Sequence, residues 1–310
     1  MIVYNELESV ERDLGIPVKT LYSVSNSLGK HYHSVSVPKR TEGERRLSVP
    51  DEILKKIQRR IHERLLAYEP VSKYATGYKY GSNVQRNAQR HVGKKKILKL
   101  DIKNFFDSIQ YSTVKEKAFP KERYAENIRI LLAMLCYHKD SLPQGAPTSP
   151  TITNIIMRDF DEAVGSWCKE RGVVYSRYCD DMTFSANNFY ADEVVFFVRT
   201  ELKKLNLYLN EKKTAIIDEK HRQIVTGIVV NEKLNITSEY KRKIRQEIYF
   251  CKKFGVEGHL RAIGSSVSAE AYMQGLLGRI SFVLQTVNDK EFVEYKEYVS
   301  KQLRNLIRGV

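Results

Sequence analysis

The chain has 310 residues, 42% hydrophobic and 10% aromatic, with 8 Pro and 16 Gly, so it can bury a substantial core and is not a low-complexity or disordered chain. Its 52 Lys and Arg against 37 Asp and Glu leave a formal net charge of +15, which points to a polyanionic partner. No run approaches the ~20 apolar residues of a bilayer span, and the start lacks the basic and then apolar signature of a secretory signal, so a cytoplasmic protein with no membrane partner is expected.

The length allows one large domain or two ordinary ones. Cys136, Cys168, Cys179 and Cys251 are far apart and form no C-x-x-C pair, against both a zinc ribbon and a disulfide framework. His31 and His33 form an H-x-H pair that nothing nearby completes as a tetrahedral site, so a surface turn is expected there. From Lys39 to Lys103 there are 18 basic and 7 acidic residues, and Tyr74, Tyr78 and Tyr80 interleave with the cations as on nucleic-acid surfaces.

After Pro50, the helical spacing of Ile53, Leu54, Ile57, Ile61 and Leu65 predicts an amphipathic helix with Lys55, Lys56, Arg59 and Arg60 on its other side. Lys96 to Ile102 reads as a buried strand carrying Asp101 at its end. Ser149 as N-cap and Pro150 at the first helical position open a helix whose apolar face, Ile152 to Trp167, ends near Gly172. Val173 to Tyr178 and Met182 to Ala186 predict a hairpin that presents Asp180 and Asp181 at its turn. Beyond Ser238 the pattern is mostly helical, with 13 basic and 8 acidic residues to the end, a second and weaker contact region.

Two adjacent acids at a tight turn cannot both ionise cheaply unless a cation neutralises them. Asp101 at a strand end would complete a carboxylate site for Mg²⁺, an ion that prefers a few carboxylates plus substrate phosphates to a closed cage. A D-D pair at a turn is weak by itself, because Asp favours turns for conformational reasons.

The flanking residues supply the context. Tyr178-Cys179-Asp180-Asp181 resembles the Y-x-D-D signature of reverse transcriptases, and the family's other motifs follow in order. Leu100-Asp101-Ile102-Lys103-Asn104-Phe105-Phe106 resembles the first palm motif, Leu142 to Pro150 the L-P-Q-G-x-x-x-S-P motif, and Leu209 to Thr214 the motif whose lysine approaches the triphosphate. Lys39-Arg40 and Gly43-Glu44-Arg45-Arg46 resemble the fingers motif that grips it. Asn87-Ala88-Gln89-Arg90-His91 is similar to the N-A-x-x-H segment and Val225-Thr226-Gly227 to the V-T-G segment of retron reverse transcriptases. The matched motifs cover roughly residues 38 to 235. Cys179 departs from the alanine common at its position, a small change that should leave the metal ligands intact.

That resemblance implies an α+β right-hand polymerase fold, with fingers in 1–95, a palm of antiparallel sheet backed by helices in 96–235 and a helical, RNA-binding thumb in 236–310. It implies two Mg²⁺ ions on Asp101, Asp180 and the main-chain carbonyl of Ile102, with Asp181 adding charge or a looser ligand. Arg46, with Arg45 as the second choice, Lys213, Gln144 and Phe106 would hold the deoxynucleotide, Phe106 excluding the ribose 2′-hydroxyl, although an ordinary core aromatic competes for that position. Asn87, His91, Thr226, Lys241, Arg242, Lys243 and Arg245 would face or position RNA. The implied partners are a cognate non-coding RNA (msr-msd), its branched DNA product (msDNA), deoxynucleotides and a separate effector protein encoded nearby, in an antiphage system. Another bacterial reverse transcriptase, intron-derived or diversity-generating, and an inactive RNA-binding scaffold stay open, the complete acidic trio standing against the scaffold.

Overall fold

The computed structural model describes residues 3–38 and 43–308. In chain order, α1 (Leu7–Leu14) and α2 (Val18–Asn26) precede a hairpin of β1 (Tyr32–Pro38) and β2 (Glu44–Pro50). Then come α3 (Glu52–Ile61), α4 (Val84–Gln89), β3 (Lys96–Asp101), α5 (Phe105–Ser108), α6 (Tyr111–Ala118), α7 (Glu126–Cys136), α8 (Ser149–Ile156) and α9 (Arg158–Glu170). The hairpin of β4 (Val174–Tyr178) and β5 (Asp181–Ala186), α10 (Ala191–Lys203), β6 (Ala215–Asp218), and the short β7 (Ile224–Val225) and β8 (Ile228–Val229) follow. Three long helices close the chain, α11 (Ser238–Ala262), α12 (Ala269–Thr286) and α13 (Lys290–Arg308).

The chain forms two compact units, one of residues 1–82 with 96–216 and one of 83–95 with 217–310. The segments 83–95 and 217–235 both group with the C-terminal helices. The reason lies in local pairing, since α4 packs against the β7–β8 hairpin and the Thr226 hydroxyl donates to the Val84 carbonyl at 3.0 Å.

In the first unit the basic helix forms as its spacing predicts. Asp51 caps it, accepting from the Leu54 amide at 2.9 Å, and Leu54, Ile57, Ile61 and Leu65 are buried while Ile53 is exposed. His31 faces the same carboxylate, its Nδ1 2.8 Å from Asp51 Oδ2. The central sheet runs β4-β5-β3-β6, and the β3–β5 and β4–β5 pairs are antiparallel. α9 packs on β4 and α10 on α9, which gives the sheet its helical backing.

Two local expectations are corrected. Ser149 is not the cap: Thr148 precedes the helix, and the Ser149 hydroxyl donates instead to the Pro143 carbonyl at 2.6 Å. The expected single helix is also two, α8 and α9, parted at Met157 with ψ of −1°. Thr153 Oγ1 donates back to the Pro150 carbonyl at 2.7 Å, a bond that bends helices.

Candidate active site

Strand register does most of the assembly. Asp101 lies directly opposite Asp181 in the β3–β5 ladder, and Tyr178 opposite Asp181 in the β4–β5 ladder. Directly opposed residues of an antiparallel pair hold their Cβ atoms ~5 Å apart, so the first and last of the three acids meet across the sheet. The two-residue loop between the strands is Cys179-Asp180, with Cys179 at a φ of 61°, the left-handed geometry that tight hairpin turns demand of a central residue. The Asp180 carbonyl accepts from the Ile102 amide at 3.2 Å, which ties the turn to the end of β3.

The turn is clamped from beneath. Arg177, fully buried, donates from Nη1 to the Cys179 carbonyl at 2.9 Å and from Nη2 to Asn154 Oδ1 at 3.2 Å. On its outer side the segment 74–78 pairs with β4: the Thr76 amide donates to the Arg177 carbonyl at 2.7 Å and the Arg177 amide to the Tyr74 carbonyl at 2.9 Å. Gly77 runs so close that a Cβ there would stand 2.8 Å from the Cys179 amide nitrogen.

The charges around the acids follow from this packing. Asp101 is 4% exposed and accepts from Lys213 Nζ at 2.7 Å on one oxygen and from Asn210 Nδ2 at 3.0 Å on the other. That bond pushes the Lys213 ammonium up from its ordinary value. The Asp181 carboxyl is pushed up to about 6, first by crowding that strips it of water and then by the charges of Asp180 and Asp101, against the pull of Lys99 and Lys213. Its side chain still opens to solvent at the rim. Burial lowers the Lys99 ammonium despite the attraction of Asp181.

Among the described residues no three His, Cys, Asp or Glu side chains form a ready-made metal cage. The donor set nevertheless fits an open hard-cation site. The charges of Asp180 and Asp101 raise the proton affinity of Asp181, which marks a site short of positive charge, and Mg²⁺ takes one or two carboxylate ligands and completes its shell with water and phosphate oxygens.

The reverse transcriptase (RNA-dependent DNA polymerase) family matches residues 37–230, a span that contains all three acids and Lys213. The chain belongs to the reverse transcriptases. Retron Ec83 reverse transcriptase of Escherichia coli is 31% identical over 297 residues, covering 90% of this chain and 91% of that protein. Retron Mx65 reverse transcriptase of Myxococcus xanthus is 30% identical over 305 residues, covering 91% of this chain and 69% of that protein. Within the family, therefore, this is a retron reverse transcriptase. Telomerase from Candida albicans, among solved structures, aligns at a TM-score of 0.48 and 12% identity over 93% of this chain and 64% of that one.

The other expected nucleotide-binding residues of the reverse transcriptase lie on neighbouring segments of the same unit. α5 turns Phe105 into the core and leaves Phe106 half-buried, and the Phe106 carbonyl accepts from the Leu142 amide at 3.1 Å. Gln144 is half-buried in the loop that follows. Gly145 presses that loop on β2, where a Cβ would stand 2.5 Å from the Ser48 carbonyl oxygen. Arg46 is exposed on β2, paired in register with Ser36. Lys39, Arg40 and the side chain of Arg45 lie outside the described residues.

The expected RNA-facing residues divide by exposure. Asn87 and His91 are 1% and 0% exposed, so in this structure neither side chain is presented at the surface of the second unit. Thr226 and Gly227, with φ of 47° and 84°, form the two-residue turn of the β7–β8 hairpin, and Thr226 spends its hydroxyl on Val84. Lys241 pairs with Asp289 at 3.1 Å and Arg245 with Glu291 at 2.7 Å, so both staple α11 to the start of the last helix, while Arg242 and Lys243 stay exposed. Asn210 and Arg177 were not singled out from sequence. The motif around Lys213 contains Asn210 and could have found it, whereas nothing local signals the role of Arg177.

No described helix is long and apolar enough to cross a membrane.

Proposed function

We propose that this chain copies RNA into DNA by attack of a primer hydroxyl on the α-phosphate of a deoxynucleotide, with loss of pyrophosphate. The observation that carries the reading is the meeting of Asp101, Asp180 and Asp181 where β3 ends beside the β4–β5 turn, within a chain of the reverse transcriptase family. Asp101, Asp180 and the Ile102 carbonyl would hold two Mg²⁺ ions, with Asp181 adding charge. Bound there, Mg²⁺ supplies positive charge to the attacking and leaving oxygens. Lys213 neutralises Asp101 in the free protein and, with that carboxylate holding a cation, would be free to face the triphosphate. Arg46 draws the triphosphate from the β1–β2 hairpin, Gln144 lines the nascent pair, and Phe106 offers a ring against the ribose 2′-position.

The likeness to retron enzymes supports the finer reading. The template and primer would be a structured non-coding RNA, with priming from the 2′-hydroxyl of a guanosine and a branched RNA-linked DNA as product. On that reading residues 1–95 serve as fingers, 96–235 as palm and 236–310 as thumb, in the cytoplasm, with a separate effector protein in an antiphage system.

The test is expression with the flanking DNA of its locus, followed by extraction of nucleic acid. A short DNA covalently joined to RNA should form, and should vanish in Asp180→Ala/Asp181→Ala. If no such species forms while purified protein copies a generic primed RNA, the retron part fails and the polymerase part stands. Inactivity in both assays sinks both.

A further inference from the structure

α11 is not one helix. It breaks at Gly255, whose φ of 72° and ψ of 163° lie where only glycine goes freely. In an unbroken helix, residues nine apart are separated by ~13.5 Å along the axis. Here the rings of Phe250 and His259 stack 5.7 Å apart at 13°, because the kink at Gly255 brings the second segment's His259 back within reach of Phe250.

Phe254 extends the same stack, 6.2 Å from Phe250 at 21°. Three nearly parallel rings thus run from His259, 5% exposed, out to Phe254, 54% exposed. The inner end is fixed: His259 Nε2 lies 3.1 Å from the Tyr272 hydroxyl, which donates to Glu247 Oε2 at 2.9 Å. Tyr249, 55% exposed, meets the middle ring, Phe250, edge-on at 5.4 Å and 66°. Lys253 Nζ bridges the two exposed rings, 5.2 Å from the centroid of Phe254 and 5.7 Å from that of Tyr249. Lys252 lies over Tyr295 and Tyr298 of α13, at 5.6 and 5.2 Å. Two nearby carboxylates are already spent, Glu247 on Arg279 and Glu291 on Arg245.

A rigid ring stack that ends in an exposed ring, with cations at its edge, has a specific complement: a flat π-system joined to a phosphate. An apolar protein side chain would satisfy the rings and leave the Lys253 ammonium without an anion. A duplex would satisfy the ammonium groups and offer no free base face. We propose that Tyr249, Lys253 and Phe254 form a stacking platform for unpaired bases of RNA on the C-terminal unit, with Lys252 held aside over the rings of α13. The inference rests on the reading that this chain handles RNA. It moves the contact from the 241–245 cluster, half of which is committed to ion pairs, to the kink two to three turns further on.

The test measures binding of the full chain to labelled poly(U) and to a fully paired RNA duplex of the same length at fixed salt, with polymerisation on a generic primed RNA followed in parallel. Tyr249→Ala/Phe254→Ala should weaken poly(U) binding by about tenfold or more and duplex binding far less, since base stacking on aromatics is worth ~1–3 kcal/mol per base. Phe254→Trp should retain binding and Phe254→Leu should lose it. Circular dichroism of each variant verifies the helical fold, and a misfolded double variant is replaced by the Leu and Trp pair, which differ only in ring character. Unchanged poly(U) binding, equal loss on both RNAs, or a Leu variant as good as Trp overturns the platform, the last in favour of a protein partner. The two readings fail separately: wild-type protein that does not polymerise, yet loses poly(U) in the Ala variant, keeps the platform and sinks the polymerase.

Discussion

The Arg177 guanidinium and the Asp161 carboxylate form an ion pair with no solvent exposure on either side chain, Nε to Oδ1 at 2.9 Å and Nη2 to Oδ2 at 2.6 Å. The pair leaves Nη1 to hold the Cys179 carbonyl, so a fully buried charge fixes the turn that carries Asp180. Removing one partner of such a pair costs ~3–5 kcal/mol, whereas replacing both with apolar groups is often neutral. Asp161→Leu alone should therefore melt far below the wild type, and Arg177→Met/Asp161→Leu should recover much of that loss. Synthesis should not recover with it, because Cys179 loses its donor. Melting temperatures beside kcat and KM check this, and a double variant with wild-type kcat would remove Arg177 from positioning.

Asp181 gives a prediction of unusual sign. Its carboxyl sits at about 6 against an ordinary 3.8, so its contribution to stability is present below pH ~4 and lost as pH rises through about 6. Asp181→Asn removes the charge that the metal-free site tolerates badly. The variant should match the wild type in acid, melt higher than it above pH 6 without Mg²⁺, and synthesise little or no DNA. Added Mg²⁺ should raise the wild-type melting temperature more than the variant's.

Sequence carried the parts of this site that are written in consecutive residues. The strand ending at Asp101, the hairpin around Asp180 and the basic helix after Pro50 depend on local spacing, and all three form as read. Features that depend on what lies across the fold were not legible. Asn87 and His91 stand in a recognisable segment, but only tertiary packing reveals that they are buried. Lys241 and Arg245 looked like free cations because their acids, Asp289 and Glu291, lie more than 40 positions away on the next face. The stack on Phe250 was hidden because Gly255 sits within a helical pattern, and a single glycine there does not announce a kink.

Gly145 tests the proposed deoxynucleotide site. A methyl group would meet the Ser48 carbonyl oxygen at 2.5 Å and Val49 Cα at 3.1 Å, both main-chain atoms of β2. Gly145→Ala must push the loop bearing Gln144 away from the strand bearing Arg46. A misplacement of that size costs up to about 100-fold in kcat/KM. The loss should fall mainly on KM for the deoxynucleotide, with RNA affinity unchanged. Steady-state kinetics beside an RNA-binding titration separate the two, and an unaltered KM would mean that these segments do not share the nucleotide.

His91 predicts where acid first attacks the molecule. Burial, helped by the charges of Arg90 and Lys94, pushes its imidazole down to about 3 from an ordinary 6.5. The unfolded chain takes up a proton below pH 6.5 and the folded unit refuses it until near 3. Stability is therefore intact above 6.5 and falls by up to ~1.4 kcal/mol per pH unit as pH drops through that window. His91 belongs to the second unit, and the single tryptophan, Trp167, belongs to the first. Titration from pH 7 toward 4 should thus lower the urea midpoint for loss of helical circular dichroism before the Trp167 fluorescence midpoint moves. His91→Gln, which carries no titrating group, should flatten that pH dependence; the same acid sensitivity in the variant would assign it to other groups.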